Sequence, residues 1–465
     1  MSQFLSFAEI QKATAGRWLR IPKKPFELTG GISTDTRTLV PGQAFLAIKG
    51  ERFDGHDHLV EAAAKGASLL IVSRDGIHPP EGPAALHVND SVAAYQAIAG
   101  IWLSKQATVK TIAITGSSGK TSCKAILAAI LEAAAPKAVV ATLDNTNNQI
   151  GVPQNIVRVT PETKFVVLEL GTNHMGEIKP IAQICPADVA ILTGLGDAHA
   201  GNFASPAAYA SEKAEMLRCL KPGGLAIIAR NAVELLENTG ALEGKNVLTF
   251  GPEEDADIRV SCPSQTLVST KVNIHLPKDK LLDFPSRLGG LHQAGNIAAA
   301  YAAAEFLGAA PAPEKLSTLM ANLKLPAHRM KVLDKDGITW IDDSYNANLQ
   351  SSIAALDWVA ECARKEKPKR VFLCLGDMLE LGARTAELHE ALAEHAAELI
   401  FPKDCKVNFV LVGEEIGDAF KDFPAEFFVD AEFAGQSIRP ILRRGDWVLL
   451  KGSRGMTMEK ILEEI

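Results

Sequence analysis

Short runs of consecutive apolar residues recur along the middle of the chain, and segments with a helical spacing of apolar positions separate them. The run Val109–Ile114 opens this region, and similar runs stand at Phe165–Leu170, Val189–Leu192 and Leu225–Ile228. A run that is apolar at every position indicates a strand buried on both faces, as in a parallel sheet. Strands that alternate with helices therefore predict a mostly parallel sheet with helices on both sides.

The same pattern predicts three domains. Residues 1–108 mix short apolar runs with turn-rich stretches, which is typical of a small α/β module. Residues 109–325 hold the alternating strands and helices, and a polar–apolar alternation over Asp255–Asp283 predicts an antiparallel excursion in this domain. Residues 326–465 begin at a proline, which disfavours helix in the residue before it. Further apolar runs and an amphipathic segment over Thr385–Glu398 predict a second open α/β sheet there.

Composition places the chain among ordered globular proteins. Its 465 residues suggest roughly three domains at about 150 residues each. The net charge of −7 gives no basic surplus that would favour nucleic acid or an anionic membrane. No apolar stretch approaches the roughly 18 to 20 residues of a membrane span, and Met1–Leu5 do not resemble a signal peptide. Seven scattered cysteines are typical of reduced thiols and argue against a zinc site, so we expect a cytoplasmic protein.

The strongest local motif is the glycine- and serine-rich turn Thr115–Thr121, between a predicted strand and a helix predicted over Ser122–Ala135. Glycines let successive backbone N–H groups point at phosphate oxygens, while a lysine contacts the β- and γ-phosphates and a hydroxyl binds Mg²⁺. The full phosphate-loop motif has a glycine where Ile114 stands, so this version is shortened. The alternative is a glycine–serine turn that happens to carry a lysine. The predicted nucleotide-binding residues are Gly116, Ser117, Ser118, Gly119, Lys120 and Thr121.

Two more polar residues follow predicted strands. Glu169 ends an apolar strand, and ligands of open α/β sheets bind at the carboxyl ends of strands. It is therefore a candidate Mg²⁺ ligand, with a solvated acid at the end of a strand as the alternative. His199 follows the next strand, and a lone histidine in a loop is more often a surface residue than a ligand.

Seven motifs stand in a fixed order along the chain. They are Thr34–Arg37, Thr115–Thr121, Asn145–Pro153, Glu169–Ile178, Asp342–Asn348, Leu375–Gly382 and Lys451–Arg454. Together they resemble the Mur ligase family, the ATP-dependent amide ligases of peptidoglycan precursor synthesis. The resemblance runs from about residue 30 to about residue 460 and explains the shortened phosphate loop, which the family shares. Within the family, the motifs are most similar to members that add D-alanyl-D-alanine to UDP-N-acetylmuramoyl-tripeptide.

The resemblance implies both a fold and a reaction. The fold is α/β with three domains: a small N-terminal UDP-binding module, a central phosphate-loop domain with a mostly parallel sheet that binds ATP, and a C-terminal Rossmann-like open sheet for the amino substrate. In the implied reaction, ATP phosphorylates a carboxylate and the incoming amine displaces phosphate from the acyl phosphate. The implied cofactors are ATP and Mg²⁺, with two ions expected. The implied partners are UDP-N-acetylmuramoyl-tripeptide and D-alanyl-D-alanine, and we expect a monomer with no nucleic-acid or membrane partner.

The resemblance also implies roles for single residues. Thr121 and Glu169 match the holders of one Mg²⁺, and His199 and Lys213 match the holders of a second, with the lysine carried as a carbamate. The side chains implied to act in catalysis are Lys120, His199, Lys213 and Arg329. Besides the phosphate loop, the implied nucleotide-binding residues are Asn296, Arg329, Asp343, Tyr345 and Asn346. The implied substrate-binding residues are Thr34, Asp35, Arg37, Asn147, Asn148, Asp377, Lys451, Ser453 and Arg454.

Several of these positions have a purely structural alternative. From sequence alone, Lys213 is an exposed helix lysine, Asn296 a helix cap, Arg329 a surface charge of the linker, and Lys451–Arg454 a solvated turn. The chain also departs from the family at Gln293, where an asparagine is usual.

Three other activities remain as alternatives. A Mur ligase that adds the third residue to UDP-N-acetylmuramoyl-dipeptide is the nearest, but members that add diaminopimelate usually carry an Asp-Asn-Pro-Arg stretch, which this sequence lacks. Folylpolyglutamate synthetases share the central domain but not the N-terminal module. A phosphate-loop NTPase that drives a partner protein would release ADP without any amino substrate.

Overall fold

The computed structural model describes residues 4–22, 28, 30–197 and 200–463. The chain divides into two compact units. The first consists of Met1–Ala113, Lys137–Thr172 and Gly176–Asp188, and the second of Ile114–Pro136, Asn173–Met175 and Val189–Ile465. None of the helices in the described part of the chain combines the length and the apolar character that a membrane span requires.

The described residues form twenty strands. They are β1 (Arg17–Arg20), β2 (Ile32–Ser33), β3 (Ala44–Leu46), β4 (Leu69–Val72), β5 (Ala84–His87), β6 (Lys110–Thr115), β7 (Val139–Ala141), β8 (Phe165–Glu169), β9 (Ala187–Leu192), β10 (Leu220–Ala229), β11 (Asn246–Gly251), β12 (Ile258–Gln265), β13 (Thr270–Leu276), β14 (Lys280–Ser286), β15 (Lys331–Lys335), β16 (Ile338–Asp343), β17 (Arg370–Gly376), β18 (Lys406–Val412), β19 (Ala425–Phe428) and β20 (Trp447–Lys451).

The same residues form fifteen α-helices. They are α1 (Phe7–Thr14), α2 (Leu59–Ala64), α3 (Ser91–Ser104), α4 (Lys120–Ala134), α5 (Gly151–Ile156), α6 (Ile178–Gln183), α7 (Pro206–Arg218), α8 (Val233–Glu237), α9 (Leu291–Phe306), α10 (Pro313–Asn322), α11 (Leu349–Glu366), α12 (Thr385–Glu398), α13 (Glu414–Ala419), α14 (Ala431–Ile438) and α15 (Lys460–Glu463).

A five-stranded sheet lies near the N-terminus, with the order β1-β5-β4-β3-β2. Strands β2 to β5 are parallel and β1 is antiparallel to β5. Every residue of β4 is buried, which is why its sequence is apolar throughout. Phe45, Leu70 and Ala85 from three neighbouring strands share one core cluster, so this small sheet has its own hydrophobic core.

A nine-stranded sheet follows, with the order β14-β13-β12-β11-β10-β9-β6-β8-β7. The pairs β7–β8, β10–β11 and β11–β12 are parallel, whereas β12, β13 and β14 form an antiparallel meander. The predicted excursion over Asp255–Asp283 is therefore confirmed. Its residues alternate between buried and exposed along β13 and β14, because one face of this meander is covered and the other is solvated.

A six-stranded sheet completes the fold, with the order β15-β16-β20-β17-β18-β19. Only the β15–β16 pair among its pairings is antiparallel. Trp358 of α11 and Leu388 of α12 belong to the core on one face, and Ala434 of α14 and Ile461 of α15 to the core on the other. This is an open sheet with helices on both faces, so the predicted three-sheet α/β fold is confirmed.

Candidate functional site

The phosphate-loop motif forms a sharp turn between β6 and α4. Gly116 has a φ of 147° and Gly119, which precedes the first residue of α4, has a φ of 83°. Residues other than glycine rarely adopt such φ values, and a Cβ on Gly116 would lie 2.2 Å from Oγ1 of Thr193. Glycine is therefore required at both positions, and the turn leads straight into a helix N-terminus, which favours anions.

Lys120 folds back over this turn. Its Nζ donates to the backbone oxygen of Gly116 at 2.6 Å and to that of Ser117 at 3.3 Å. The ammonium thus lies above the loop carbonyls, next to the N-terminus of α4. A positive charge held against a glycine turn and a helix N-terminus can bind a phosphate group.

Arg329 contacts the phosphate loop from the segment that follows Pro326. Its Nη2 donates to Oγ1 of Thr121 at 3.0 Å, and its guanidinium carbon lies 4.0 Å from the ring centroid of Tyr345. The Nε of Arg329 is buried and has no hydrogen-bond partner within the described chain. The alternative of a solvated linker charge is therefore wrong, because the guanidinium is held between a hydroxyl and an aromatic ring.

Asn296 lies on the second turn of α9 and not at its start, so the interpretation as a helix cap is wrong. Its Nδ2 donates to Oε1 of Gln293 at 3.1 Å, and both side chains are buried. A Cβ on Gly119 would lie 2.8 Å from Oδ1 of Asn296, which places this amide against the phosphate loop. The glutamine that departs from the family pattern therefore supplies the acceptor that orients Asn296.

Lys213 lies on α7 and is only 1% exposed. The expectation of an exposed helix lysine is therefore wrong. Its Nζ lies 5.1 Å from the ring centroid of Tyr209, one helical turn earlier. Ser117 of the phosphate loop donates its hydroxyl to the Tyr209 oxygen at 3.1 Å. Burial raises the pKa of Tyr209 to about 12, so the phenol stays neutral beside the loop.

Lys451 at the end of β20 is 3% exposed. Its Nζ donates to Oδ2 of Asp343 at 2.6 Å and to the backbone oxygen of Asn346 at 2.9 Å. The backbone N–H of Met330 donates to the other carboxylate oxygen of Asp343 at 3.0 Å. A solvated turn is thus wrong for this lysine, whereas the Arg454 side chain is 56% exposed and pairs with Glu459.

Asp377 connects three loops at the carboxyl end of the six-stranded sheet. Its Oδ1 accepts the backbone N–H of Ile416 at 2.8 Å, in the first turn of α13. Its backbone oxygen accepts the N–H of Ser453 at 3.1 Å, and the Ser453 hydroxyl accepts the N–H of Leu379 at 2.8 Å. Burial raises the pKa of the Asp377 carboxyl. The Asp377 side chain therefore joins the loop after β17 to the start of α13, and its backbone joins the same loop to the one after β20.

Within the first compact unit, Glu169 is the last residue of β8 and is 2% exposed. Its Oε1 accepts a hydrogen bond from Nδ2 of Asn147 at 2.9 Å. The alternative of a solvated acid at the end of a strand is therefore wrong. The side chain of the neighbouring Asn148 instead bonds to the backbone where α5 begins, because its Oδ1 accepts the N–H groups of Ile150 at 3.2 Å and Gly151 at 2.9 Å.

The residues predicted to bind the UDP group lie in the loop after β2. The Arg37 guanidinium pairs with the Asp35 carboxylate at 2.7 Å, and this hydrogen-bonded pair lowers the pKa of Asp35. The Arg37 side chain is 86% exposed, and Thr34 beside the pair is half-buried. This loop therefore offers a solvent-facing cation.

The fit of Mg²⁺ can be tested on the donors that are present. His199 lies outside the described residues. Among the residues that are described, His, Cys, Asp and Glu form no group of three or more that could hold a metal ion. The Thr121 hydroxyl and the buried Glu169 carboxylate are oxygen donors of the kind that Mg²⁺ prefers. Lys213 fits only as a carbamate, since an ammonium repels a cation while a carbamate supplies anionic oxygens.

Two side chains at the phosphate loop, those of Thr193 and Tyr209, were not predicted from the sequence. The hydroxyl of Thr193 donates to the backbone oxygen of Ser118 at 2.5 Å, and Tyr209 contacts Ser117 as described above. Tyr209 precedes Lys213 by four residues, which puts both on one face of a helix. That spacing could have identified Tyr209, whereas Thr193 follows a strand like many other threonines.

Three parts of the chain match family descriptions, and together they span most of its length. Residues 29–105 match "Mur ligase family, catalytic domain", residues 114–304 match "Mur ligase middle domain", and residues 328–454 match "Mur ligase, glutamate ligase domain". The chain is 33% identical over 445 residues to the UDP-N-acetylmuramoyl-tripeptide--D-alanyl-D-alanine ligase of Escherichia coli (strain K12), with 93% of each chain covered.

Solved structures are similar over the whole fold. A crystal structure of MurF from Acinetobacter baumannii has a TM-score of 0.86 at 30% identity and covers 100% of this chain and 99% of its own. The MurF ligase from Thermotoga maritima in complex with ADP has a TM-score of 0.82 at 27% identity, covering 94% of this chain and 97% of its own. Since the motifs, the three sheets and the full-length similarity agree, this chain belongs to the Mur ligase family.

Proposed function

We propose that this chain is an ATP-dependent ligase that joins D-alanyl-D-alanine to UDP-N-acetylmuramoyl-tripeptide in peptidoglycan precursor synthesis. The observation that carries the proposal is the phosphate loop with Lys120 folded over it and Arg329 bonded to Thr121. The ligases to which the chain is similar over nearly its full length carry this activity in their names. The ADP complex of the Thermotoga maritima relative supports binding of ATP here.

The proposed chemistry explains why cations gather at the loop. A carboxylate is a poor acyl donor, so its oxygen first attacks the γ-phosphorus of ATP and ADP leaves. The amine nitrogen of the dipeptide then attacks the acyl carbon, and phosphate leaves as the amide bond forms. In the first step two anions must approach each other, and Lys120 and Arg329 offset that repulsion.

The proposed domains are residues 1–108 for the UDP substrate, 109–325 for ATP and 326–465 for the amino substrate. Each sheet supports this division, because its strands fall inside one of the three ranges. The five-stranded sheet ends at His87, the nine-stranded sheet runs from Lys110 to Ser286, and the six-stranded sheet begins at Lys331.

We propose that Thr121 and Glu169 would hold one Mg²⁺, and His199 and the carbamate of Lys213 a second, as the family resemblance implies. Bound Mg²⁺ neutralises phosphate charge during phosphoryl transfer. On the protein side, burial of Glu169 and Lys213 excludes water from these side chains. Asn147 fixes the orientation of the Glu169 carboxylate through one of its oxygens.

The substrate contacts are proposed as the family resemblance implies them. Thr34, Asp35 and Arg37 are assigned to the UDP precursor, Asn296, Asp343, Tyr345 and Asn346 to the nucleotide, and Asp377, Lys451, Ser453 and Arg454 to the dipeptide. Asn147 and Asn148 are assigned to substrate binding as the family resemblance implies. Because Lys451 is buried and paired with Asp343, its contribution is to order the site. The half-exposed guanidinium of Arg454 is the better partner for a terminal carboxylate.

We further propose that the enzyme acts in the cytoplasm as a monomer without nucleic-acid or membrane partners. The net charge of −7 supports the absence of a polyanion partner. All seven cysteines are free, which is typical of a reducing compartment.

Omission of single substrates tests the function directly. We expect ADP release from ATP only when both UDP-N-acetylmuramoyl-tripeptide and D-alanyl-D-alanine are present, with stimulation by the dipeptide of at least about tenfold. The measurement is a coupled ADP assay in which each component is left out in turn, with L-alanyl-L-alanine as the matched control. ADP release at the full rate without the dipeptide would identify an NTPase. Stimulation by UDP-N-acetylmuramoyl-dipeptide with a free amino acid would identify the ligase of the third residue.

A pair of substitutions at Asp377 tests how it serves the dipeptide site. Asp377→Asn keeps an oxygen that accepts the Ile416 N–H, so we expect its KM for D-alanyl-D-alanine to change less than about threefold. Asp377→Ala removes that acceptor and should raise the KM about tenfold, and it should lower the free energy of unfolding by about 1 kcal/mol. Equal losses in both variants would instead mean that the carboxylate charge binds the substrate amine.

A further inference from the structure

The loop Gly194–Asp197 is held by two residues that come from the segment after Pro326. Gln350 at the start of α11 donates its Nε2 to Oδ2 of Asp197 at 2.6 Å and accepts the Asp197 N–H on its Oε1 at 3.2 Å. Arg384, just before α12, donates Nη1 to Oδ1 of Asp197. Both carboxylate oxygens of Asp197 and its N–H are thus bonded to these two side chains.

Arg384 is itself fixed in place. Its Nε and Nη2 donate to the two carboxylate oxygens of Glu387 at 3.1 and 2.7 Å. These hydrogen bonds, together with the one to Asp197, raise the pKa of the Arg384 guanidinium further above its usual range. A guanidinium that bridges two carboxylates has little freedom to turn away, so it is a firm anchor for Asp197.

Gly196 and Gly201 lie closer to Gln350 and Gly382, respectively, than a side chain at either glycine would allow. A Cβ on Gly196 would lie 2.3 Å from Oε1 of Gln350, and a Cβ on Gly201 would lie 2.6 Å from the backbone N of Gly382. The N–H of Gly201 also donates to the backbone oxygen of Glu380 at 2.9 Å. Glycine at these positions permits the contact.

The same loop is bonded to the phosphate loop on its other side. The N–H of Gly196 donates to Oγ of Ser117 at 2.8 Å, and the N–H of Ser117 donates to the backbone oxygen of Gly194 at 3.0 Å. Ser117 also contacts the Tyr209 hydroxyl. A continuous path of hydrogen bonds therefore runs from Arg384 and Gln350 through the loop Gly194–Asp197 to Ser117.

We infer that Gln350 and Arg384 are positioning residues for the phosphate loop, which they reach through Asp197. Their own side chains bond to Asp197 and Glu387, and their effect on nucleotide passes through the loop between them and Ser117. This inference rests on the proposed nucleotide site. It adds that nucleotide affinity depends on docking of the proposed amino-substrate domain against this loop. By thermodynamic linkage, bound nucleotide must strengthen that docking by the same factor.

The test is a titration of the full chain with a fluorescent ADP analogue at a fixed Mg²⁺ concentration. Arg384→Gln and Gln350→Ala should each raise the Kd about threefold to tenfold, and Arg384→Lys, which keeps the charge, should raise it less. The matched control is Arg230→Gln, which breaks a guanidinium–carboxylate pair with Asp255 inside the proposed ATP domain and should leave the Kd within about twofold. Thermal unfolding of each variant verifies that it is folded.

Two further variants separate the path from a general loss of charge. Gly201→Ala should raise the Kd by a steric route without removing any charged group. A double-mutant cycle combines Asp197→Asn with Arg384→Gln. The double variant should have a Kd no higher than that of the weaker-binding single variant, because both substitutions break the same ion pair. Unchanged nucleotide binding in both Arg384→Gln and Gly201→Ala, with a wild-type chain that binds, would overturn this inference alone. A wild-type chain that binds no ADP analogue would overturn the proposed function and this inference with it.

Discussion

Replacement of Lys120 by alanine should lower ADP formation by at least about a thousandfold in the presence of all substrates. The ammonium lies over the loop carbonyls at the N-terminus of α4, where transferred phosphate charge must be offset. Loss of that charge is not compensated by Arg329, whose guanidinium is held by Thr121 and Tyr345. The measurement is the steady-state rate of ADP release.

Lys315→Ala is the matched control for this prediction. Lys315 donates its Nζ to the backbone oxygen of Ala133, at the opposite end of α4. The substitution removes a lysine of α10 that contacts the far end of α4 and does not touch the phosphate loop, so the rate should stay within about twofold. A Lys120→Ala enzyme that retains a tenth or more of the wild-type rate would show that the loop does not hold the reacting phosphate.

Lys213→Ala should also lower the turnover rate by about a hundredfold or more, and a small added carboxylate such as acetate should restore part of the lost rate. Lys213 is 1% exposed, and its replacement by alanine leaves space in a buried site. If the functional group is the carbamate, a free carboxylate that enters this space supplies the same anionic oxygens. The measurement is the rate of ADP release against the concentration of added acetate.

The control for this rescue is Lys213→Arg. Arginine keeps a positive charge, fills the space and cannot form the carbamate, so acetate should restore no activity. Thermal unfolding should accompany both variants, because the lysine packs against the ring of Tyr209 and its loss removes packing as well as charge. Activity of Lys213→Arg close to that of the wild type would mean that the side chain acts as a cation, and the carbamate would be wrong.

Much of the fold could be predicted from local patterns. The helix Thr385–Glu398 has the bounds that the pattern predicted, and the apolar run Phe165–Leu170 contains the strand β8, because α12 has one apolar face and β8 is buried at every position. β11, over Asn246–Gly251, and β15, over Lys331–Lys335, gave no signal. Half-buried and exposed positions predominate in both, so polar residues are tolerated and no apolar run forms.

The sequence by itself determined the phosphate loop and the order of the family motifs. A turn with positive φ at two positions needs glycine there, and that requirement is visible in the residues themselves. Only the tertiary structure decided which charged residues belong to the site. Arg329 meets Thr121 across 208 positions of the chain, and Lys213 and Lys451 are buried where their sequence neighbours suggested solvent. The sequence alone does not distinguish a solvated lysine from a buried, paired one, because the environment of the side chain is formed by residues distant in the chain.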